Sequence, residues 1–263
     1  MPVSAVDGID LSWERAGSGP RLLFCNGSGR ALADVQPMLA FLAGSFDVLA
    51  WDYRGFGDSD LGAGEYTMAD VAADAAGLLG LVGWDACRVA GLSFGGMVAQ
   101  ELAVTNPERL ERLALLCTSP GGAGGSSYPL QDLLDLPVEE RAAAGLRLVD
   151  RRWDEDWFET HPGDSEVAAR FAPAGELDTA GALARRAQME ARARHDVWER
   201  LGSITCPTLV ASGRYDGIAP VENGEATASR IRGAQFRVYD GGHAFLLQDP
   251  RALGDLVSFL LEE

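Results

Sequence analysis

The feature that most narrows what this chain can become is the run Gly91-Leu92-Ser93-Phe94-Gly95-Gly96, a G-x-S-x-G pattern. Small residues two places on either side of a serine permit a turn too sharp for larger side chains. Cys87–Ala90 reads as a strand before it, and Phe94–Asn106 as a helix after it. A strand–turn–helix of this kind lifts the Ser93 hydroxyl above the edge of a sheet. It also aims the helix N-terminus at that hydroxyl, where unpaired amides and the helix dipole favour developing negative charge. The pattern alone is common, so the rest of the chain must supply the scaffold and the partners.

The scaffold is legible as an alternation. Arg21–Cys25, Asp47–Trp51, Leu113–Cys117, Thr208–Ser212 and Gln235–Tyr239 join Cys87–Ala90 as predicted strands, several of them apolar throughout. Continuous apolar runs suit strands covered on both faces, as parallel strands are. Val35–Ala43, Met68–Val82, Val221–Ile231 and Arg251–Leu261 are predicted helices, with Thr67 capping the second through its hydroxyl. The pattern predicts an α/β chain built as a doubly wound, mostly parallel sheet. From Ser119 to about Leu201 no strand-like run occurs. After the Gly-rich stretch 121–125, helical patterns cover Val138–Arg151 and Asp178–Leu201. Residues 1–118 and 202–263 are therefore assigned to the core and 119–201 to a helical lid, a decorated crossover being the alternative.

A serine is a poor nucleophile unless a base takes its proton and an acid orients the base. The chain has three histidines. His161 and His195 fall in the insertion, whereas His243 follows the last predicted strand in Asp240-Gly241-Gly242-His243. Loops there stand at the carboxyl edge of a parallel sheet, where ligands bind, so His243 is the expected base. Asp216, in Gly213-Arg214-Tyr215-Asp216-Gly217 after the strand Thr208–Ser212, is the expected acid in the order Ser, Asp, His. Asp240 is the nearest rival but is too close to His243 in the chain to orient its ring. For the oxyanion, Asn26-Gly27-Ser28-Gly29 follows the strand Arg21–Cys25. The amides of Ser28 and Phe94 are the candidate donors.

Composition excludes other classes. Net charge is −17, and all 22 basic residues are arginine. A field of that sign repels nucleic acid and anionic membranes, and without lysine there is no Schiff base and no G-x-x-x-x-G-K phosphate loop. Asp52-Tyr53-Arg54-Gly55-Phe56-Gly57-Asp58-Ser59 therefore reads as a structural loop, with Arg54 open to pairing with an acid. The four cysteines have no C-x-x-C pairing and read as buried thiols. No run approaches the length of a membrane span and the N-terminus lacks the features of a signal peptide, so a cytoplasmic location is expected. Trp153, Trp157, Phe171 and Trp198 either line an acyl pocket or hold the insertion together.

Taken together, Asn26-Gly27, the run 52–59, Gly91–Gln100, Pro207–Val210 with Asp216, and Gly241-Gly242-His243 resemble the α/β-hydrolase superfamily. The nearest members in character are the 3-oxoadipate enol-lactonases, small bacterial esterases and cofactor-free haloperoxidases. The resemblance covers about residues 5–118 and 202–263. One departure is Asn26, where histidine is usual. It implies an α/β-hydrolase fold, a Ser93–His243–Asp216 triad needing no metal or organic cofactor, and a small ester or lactone as substrate. Serine at the nucleophile position argues against haloalkane dehalogenases, which use aspartate. C–C bond hydrolysis, perhydrolysis and a non-catalytic small-molecule receptor remain open at this level, as does oligomeric state.

Overall fold

The computed structural model describes residues 1–171 and 178–262. Its strands are β1 (Val3–Val6), β2 (Ile9–Gly17), β3 (Arg21–Cys25), β4 (Asp47–Trp51), β5 (Cys87–Leu92), β6 (Leu110–Leu116), β7 (Thr208–Gly213) and β8 (Gln235–Tyr239). They form one sheet in the order β1-β2-β4-β3-β5-β6-β7-β8. The pairs from β4 to β8 are parallel, while β1 with β2 and β2 with β4 are antiparallel. Each parallel strand runs back through a helix. These are α1 (Gln36–Ala43), α2 (Met68–Leu81), α3 (Phe94–Thr105), α8 (Val221–Arg230) and, after β8, α9 (Phe245–Gln248) and α10 (Ala252–Leu261).

Why the strands are apolar without alternation is visible in the packing. Side chains alternate between faces along a strand. Leu23, Cys25, Leu49, Trp51, Val89 and Leu113 join one cluster with residues of α2 and α3. Their neighbours Leu22, Phe24, Val48, Ala50, Ala90 and Ala114 join a second cluster with α1 and α10. Both faces are buried, so both parities must be apolar. Leu22 and Leu23 are each fully buried, a burial worth roughly 1.5–3 kcal/mol per side chain.

The sequence pattern predicts neither of the two antiparallel strands. β2 carries Ser12, Glu14 and Arg15 among its apolar residues, and β1 lies at the edge of the sheet. Neither has the continuous apolar run by which the central strands were recognised. Thr67 caps α2 as expected: its hydroxyl accepts from the Asp70 amide at 3.3 Å, and the Asp70 carboxylate accepts from the Thr67 amide at 2.7 Å. Arg54 pairs with buried Asp74 in a fork, at 2.7 and 2.8 Å.

Between β6 and β7 the chain forms α4 (Val138–Val149), α5 (Glu155–Thr160), α6 (Pro162–Ala169) and α7 (Thr179–Ala193), with no strand among the described residues. Residues 172–177, part of the expected lid, lie outside the described residues. The single helix expected over Asp178–Leu201 is broken. α7 ends at Ala193, and a separate 3-10 turn covers Trp198–Ser203. There Pro120 accepts from the Val197 amide at 3.0 Å, pulling the chain down onto the end of β6. The aromatic residues hold the insertion together. Trp153 is fully buried and meets Phe171 edge-on at 6.5 Å. Trp153 and Trp157 both donate to Asp164, at 3.1 and 2.7 Å, and the Arg230 guanidinium lies 4.4 Å over Trp198. Among the described residues no helix is long and apolar enough to cross a membrane.

Candidate active site

Ser93 sits at the end of β5 with φ 55° and ψ −114°, a backbone position that L-residues adopt only under constraint. Three hydrogen bonds impose it. The Ser93 amide donates to the Leu116 carbonyl at 2.8 Å, the Thr118 hydroxyl donates to the Ser93 carbonyl at 2.8 Å, and the Gly96 amide donates to the same carbonyl at 2.9 Å. The flanking glycines are required by contact. A Cβ at Gly91 would collide with the Gly95 carbonyl, and one at Gly95 would collide with the Cys25 and Asn26 carbonyls. That second approach presses the first turn of α3 against the end of β3.

The chain brings together Ser93, His243 and Asp216. His243 Nε2 lies 2.8 Å from Ser93 Oγ, and His243 Nδ1 lies 2.7 Å from Asp216 Oδ2. A carboxylate can only accept, so Nδ1 carries the hydrogen and Nε2 is left free to accept from the serine. Asp216 is fully buried, and its other oxygen, Oδ1, accepts from the amides of Ile218 and Ala219, each at 2.8 Å. Those bonds satisfy a buried carboxylate that would otherwise be expensive to hide. Cys117 also stands against this pair, its sulfur within 4.8 Å of the Asp216 and His243 ligand atoms. Burial pushes its thiol far above the ordinary range, so it stays protonated.

The rivals fall elsewhere. Asp240 is largely exposed and pairs with Arg152 at 3.1 Å. His161 stacks on Trp157 at 3.7 Å, and His195 is buried beneath the end of α7.

In the loop after β3, the Gly27 amide donates to Asn26 Oδ1 at 2.7 Å and the Gly29 amide to Gln188 Oε1 at 2.8 Å. The Ser28 amide lies between two committed neighbours. Asn26, standing where histidine is usual in the resembled family, holds the loop from within, and its own carbonyl accepts from the Tyr53 hydroxyl at 2.8 Å.

Residues without a motif of their own hold Asp216 and His243 in place. The end of α4 reaches both the loop carrying Asp216 and the loop carrying His243. The Leu148 carbonyl accepts from Gly217 at 2.9 Å, the Val149 carbonyl accepts from His243 at 2.6 Å, and the Arg151 amide donates to Tyr215 at 3.0 Å. The Arg151 side chain donates to the Asp216 carbonyl at 2.7 Å. Gln248 spans the Gly242 amide at 2.9 Å and buried Asp150 at 2.8 Å. The bonds made by the α4 backbone leave no trace in side-chain identity.

The alpha/beta hydrolase fold family matches residues 20–250. The chain belongs to that family. Within it, this α/β hydrolase is 26% identical to 3-oxoadipate enol-lactonase 2 of Acinetobacter baylyi, over 92% of this chain and 89% of that protein. It is 29% identical to the 2-hydroxymuconate semialdehyde hydrolase of Pseudomonas sp. strain CF600, over 97% and 92% of the two chains. The crystal structure of the enol-lactonase from Burkholderia xenovorans LB400 superimposes with a TM-score of 0.79 at 26% identity, covering 99% of this chain and all of that one. The mostly parallel eight-stranded sheet and its helices are thus the α/β-hydrolase fold anticipated from the motifs.

Proposed function

We propose that this α/β hydrolase is a serine hydrolase that cleaves a carboxylic ester or lactone through an acyl-enzyme. The observation that carries the reading is the continuous hydrogen-bond relay from Ser93 Oγ through His243 to Asp216, at 2.8 and 2.7 Å. Ser93 Oγ attacks the substrate carbonyl carbon while His243 Nε2 removes its proton. Asp216 holds the ring in the required tautomer and stabilises the imidazolium. The amides of Ser28 and Phe94 donate to the tetrahedral oxyanion. His243 returns the proton to the leaving oxygen, then activates a water that releases the acid and restores Ser93. The names of the relatives, which include lactonases and a depolymerase of a polyester, favour acyl-oxygen bonds as the target. Substrates are small molecules, and the reaction site is cytoplasmic in this reading.

The test is a panel of p-nitrophenyl esters and γ- and δ-lactones assayed with wild type and Ser93→Ala. Turnover of at least one ester or lactone is expected, falling by about 10⁴-fold or more in the variant. Equal turnover by both proteins would rule out Ser93 as the nucleophile.

A further inference from the structure

Between α4 and α5 the chain makes a short turn, Asp150-Arg151-Arg152-Trp153-Asp154, which stands against the loops that carry Asp216 and His243. Asp150 is fully buried there. Its carboxylate accepts from the Arg152 amide at 3.0 Å and from the Arg152 guanidinium at 2.9 and 2.7 Å. Gln248 also donates to it, at 2.8 Å, while accepting from the Gly242 amide at 2.9 Å. A Cβ at Gly242 would collide with the Val149 carbonyl and with Asp150 Cα, so the residue before His243 is pressed onto this turn.

A buried carboxylate needs a counter-charge, and any cation at position 152 would supply one. The Arg152 guanidinium does more. Its other terminal nitrogen donates to Asp240, on the loop that leads to His243, at 3.1 Å. Its central carbon lies 4.0 Å from the centre of the Tyr215 ring, next to Asp216, and 4.5 Å from a ring of Trp157 in α5. One planar cation thus touches the loop of the acid, the loop of the base and the insertion. The Arg152 side chain is only 17% exposed, whereas Asp240 is 69% exposed. The sheltered contact with Tyr215 is therefore the stronger of the two ties to the loops.

We propose that Arg152 is a positioning residue for the catalytic pair: its guanidinium fixes the loop of Asp216 against the loop of His243, and so makes the insertion part of what activates Ser93. This rests on the hydrolase reading above. The bond between Asp216 and His243, at 2.7 Å, joins two separate loops, so a small slip of either loop lengthens it. Misplacement of that kind costs rate more than affinity, because the ring must meet Ser93 as the proton moves. The fork and flat face of a guanidinium let it hold the Asp150 carboxylate, reach Asp240 and lie against Tyr215 at once. An ammonium is a compact point charge, able to neutralise Asp150 and unable to make the other contacts with it.

The test measures the rate of fluorophosphonate labelling, with kcat and KM for p-nitrophenyl acetate, on wild type, Arg152→Lys, Tyr215→Leu and the double variant. Arg152→Lys is expected to be labelled about tenfold more slowly and to lose about tenfold in kcat, with KM within about twofold of wild type. Tyr215→Leu, which keeps the ion pair with Asp150, should lose a similar factor. The double variant should lose little more than either alone, because both changes remove one contact. Arg152→Ala should regain rate in methylguanidinium chloride and not in methylammonium chloride at the same concentration. Wild-type rates in Arg152→Lys would overturn the proposal and leave the arginine a counter-charge for Asp150. Losses that multiply in the double variant would overturn it too, as would a folded Arg152→Ala that methylguanidinium leaves unchanged. Should Arg152→Ala prove unfolded by circular dichroism, the Arg152→Lys and Tyr215→Leu variants decide alone. A wild type that takes no label fails the hydrolase reading itself, a result distinct from equal labelling of wild type and variants.

Discussion

At Asp216 the physical demands on one side chain are most sharply opposed. It is fully buried, yet both its oxygens are satisfied: Oδ1 accepts two amides and Oδ2 accepts the His243 ring. Asp216→Asn keeps the shape but puts an amide donor where an acceptor is needed. The ring then turns its hydrogen toward Ser93, and kcat is expected to fall by about 10⁴-fold with little change in KM. Steady-state kinetics on the best ester would check this, and a loss under tenfold would mean Asp216 does not set the tautomer. Ser93, Asp216 and His243 were legible before the fold because their turns carry glycines at fixed offsets from strands. Gln188 and Arg152 were not, since a polar side chain in the insertion reads equally as a solvated residue until the partner surface is known.

At the scale of elements, the strands covered on both faces declared themselves through unbroken apolar runs. β1 and β2 did not, because strands toward the sheet's margin tolerate charge. The overlong helix expected at Asp178–Leu201 fails for another reason: past α7 the chain docks after β6, where the Val197 amide bonds the Pro120 carbonyl and the His195 carbonyl packs against Gly121, and such docking has no sequence signature. That docking buries His195 beside Gly121. Burial draws its imidazole from 6.5 to about 4 in the folded chain. As pH falls below 6.5 the unfolded chain takes the proton first, so stability present above 6.5 is lost toward pH 4. The slope is at most roughly 1.4 kcal/mol per pH unit from this group. Urea midpoints measured from pH 7 to 4.5 should fall more steeply for wild type than for His195→Leu. Parallel pH profiles would show that His195 does not couple docking of α7 to protonation.

For the whole molecule, the sheet order places the loops after β3, β5, β7 and β8 along one edge, and the insertion after β6 closes over them. Four segments far apart in sequence thereby supply the Ser28 amide, Ser93, Asp216 and His243, while the end of α4 fastens two of the loops together. The central claim is that this assembly activates Ser93. Intact-mass spectrometry after incubation with a fluorophosphonate, on wild type and Ser93→Ala, tests it most directly. The account predicts one adduct on wild type and none on the variant. A wild type that takes no adduct across pH 6 to 9, or a variant that is labelled equally, would contradict it.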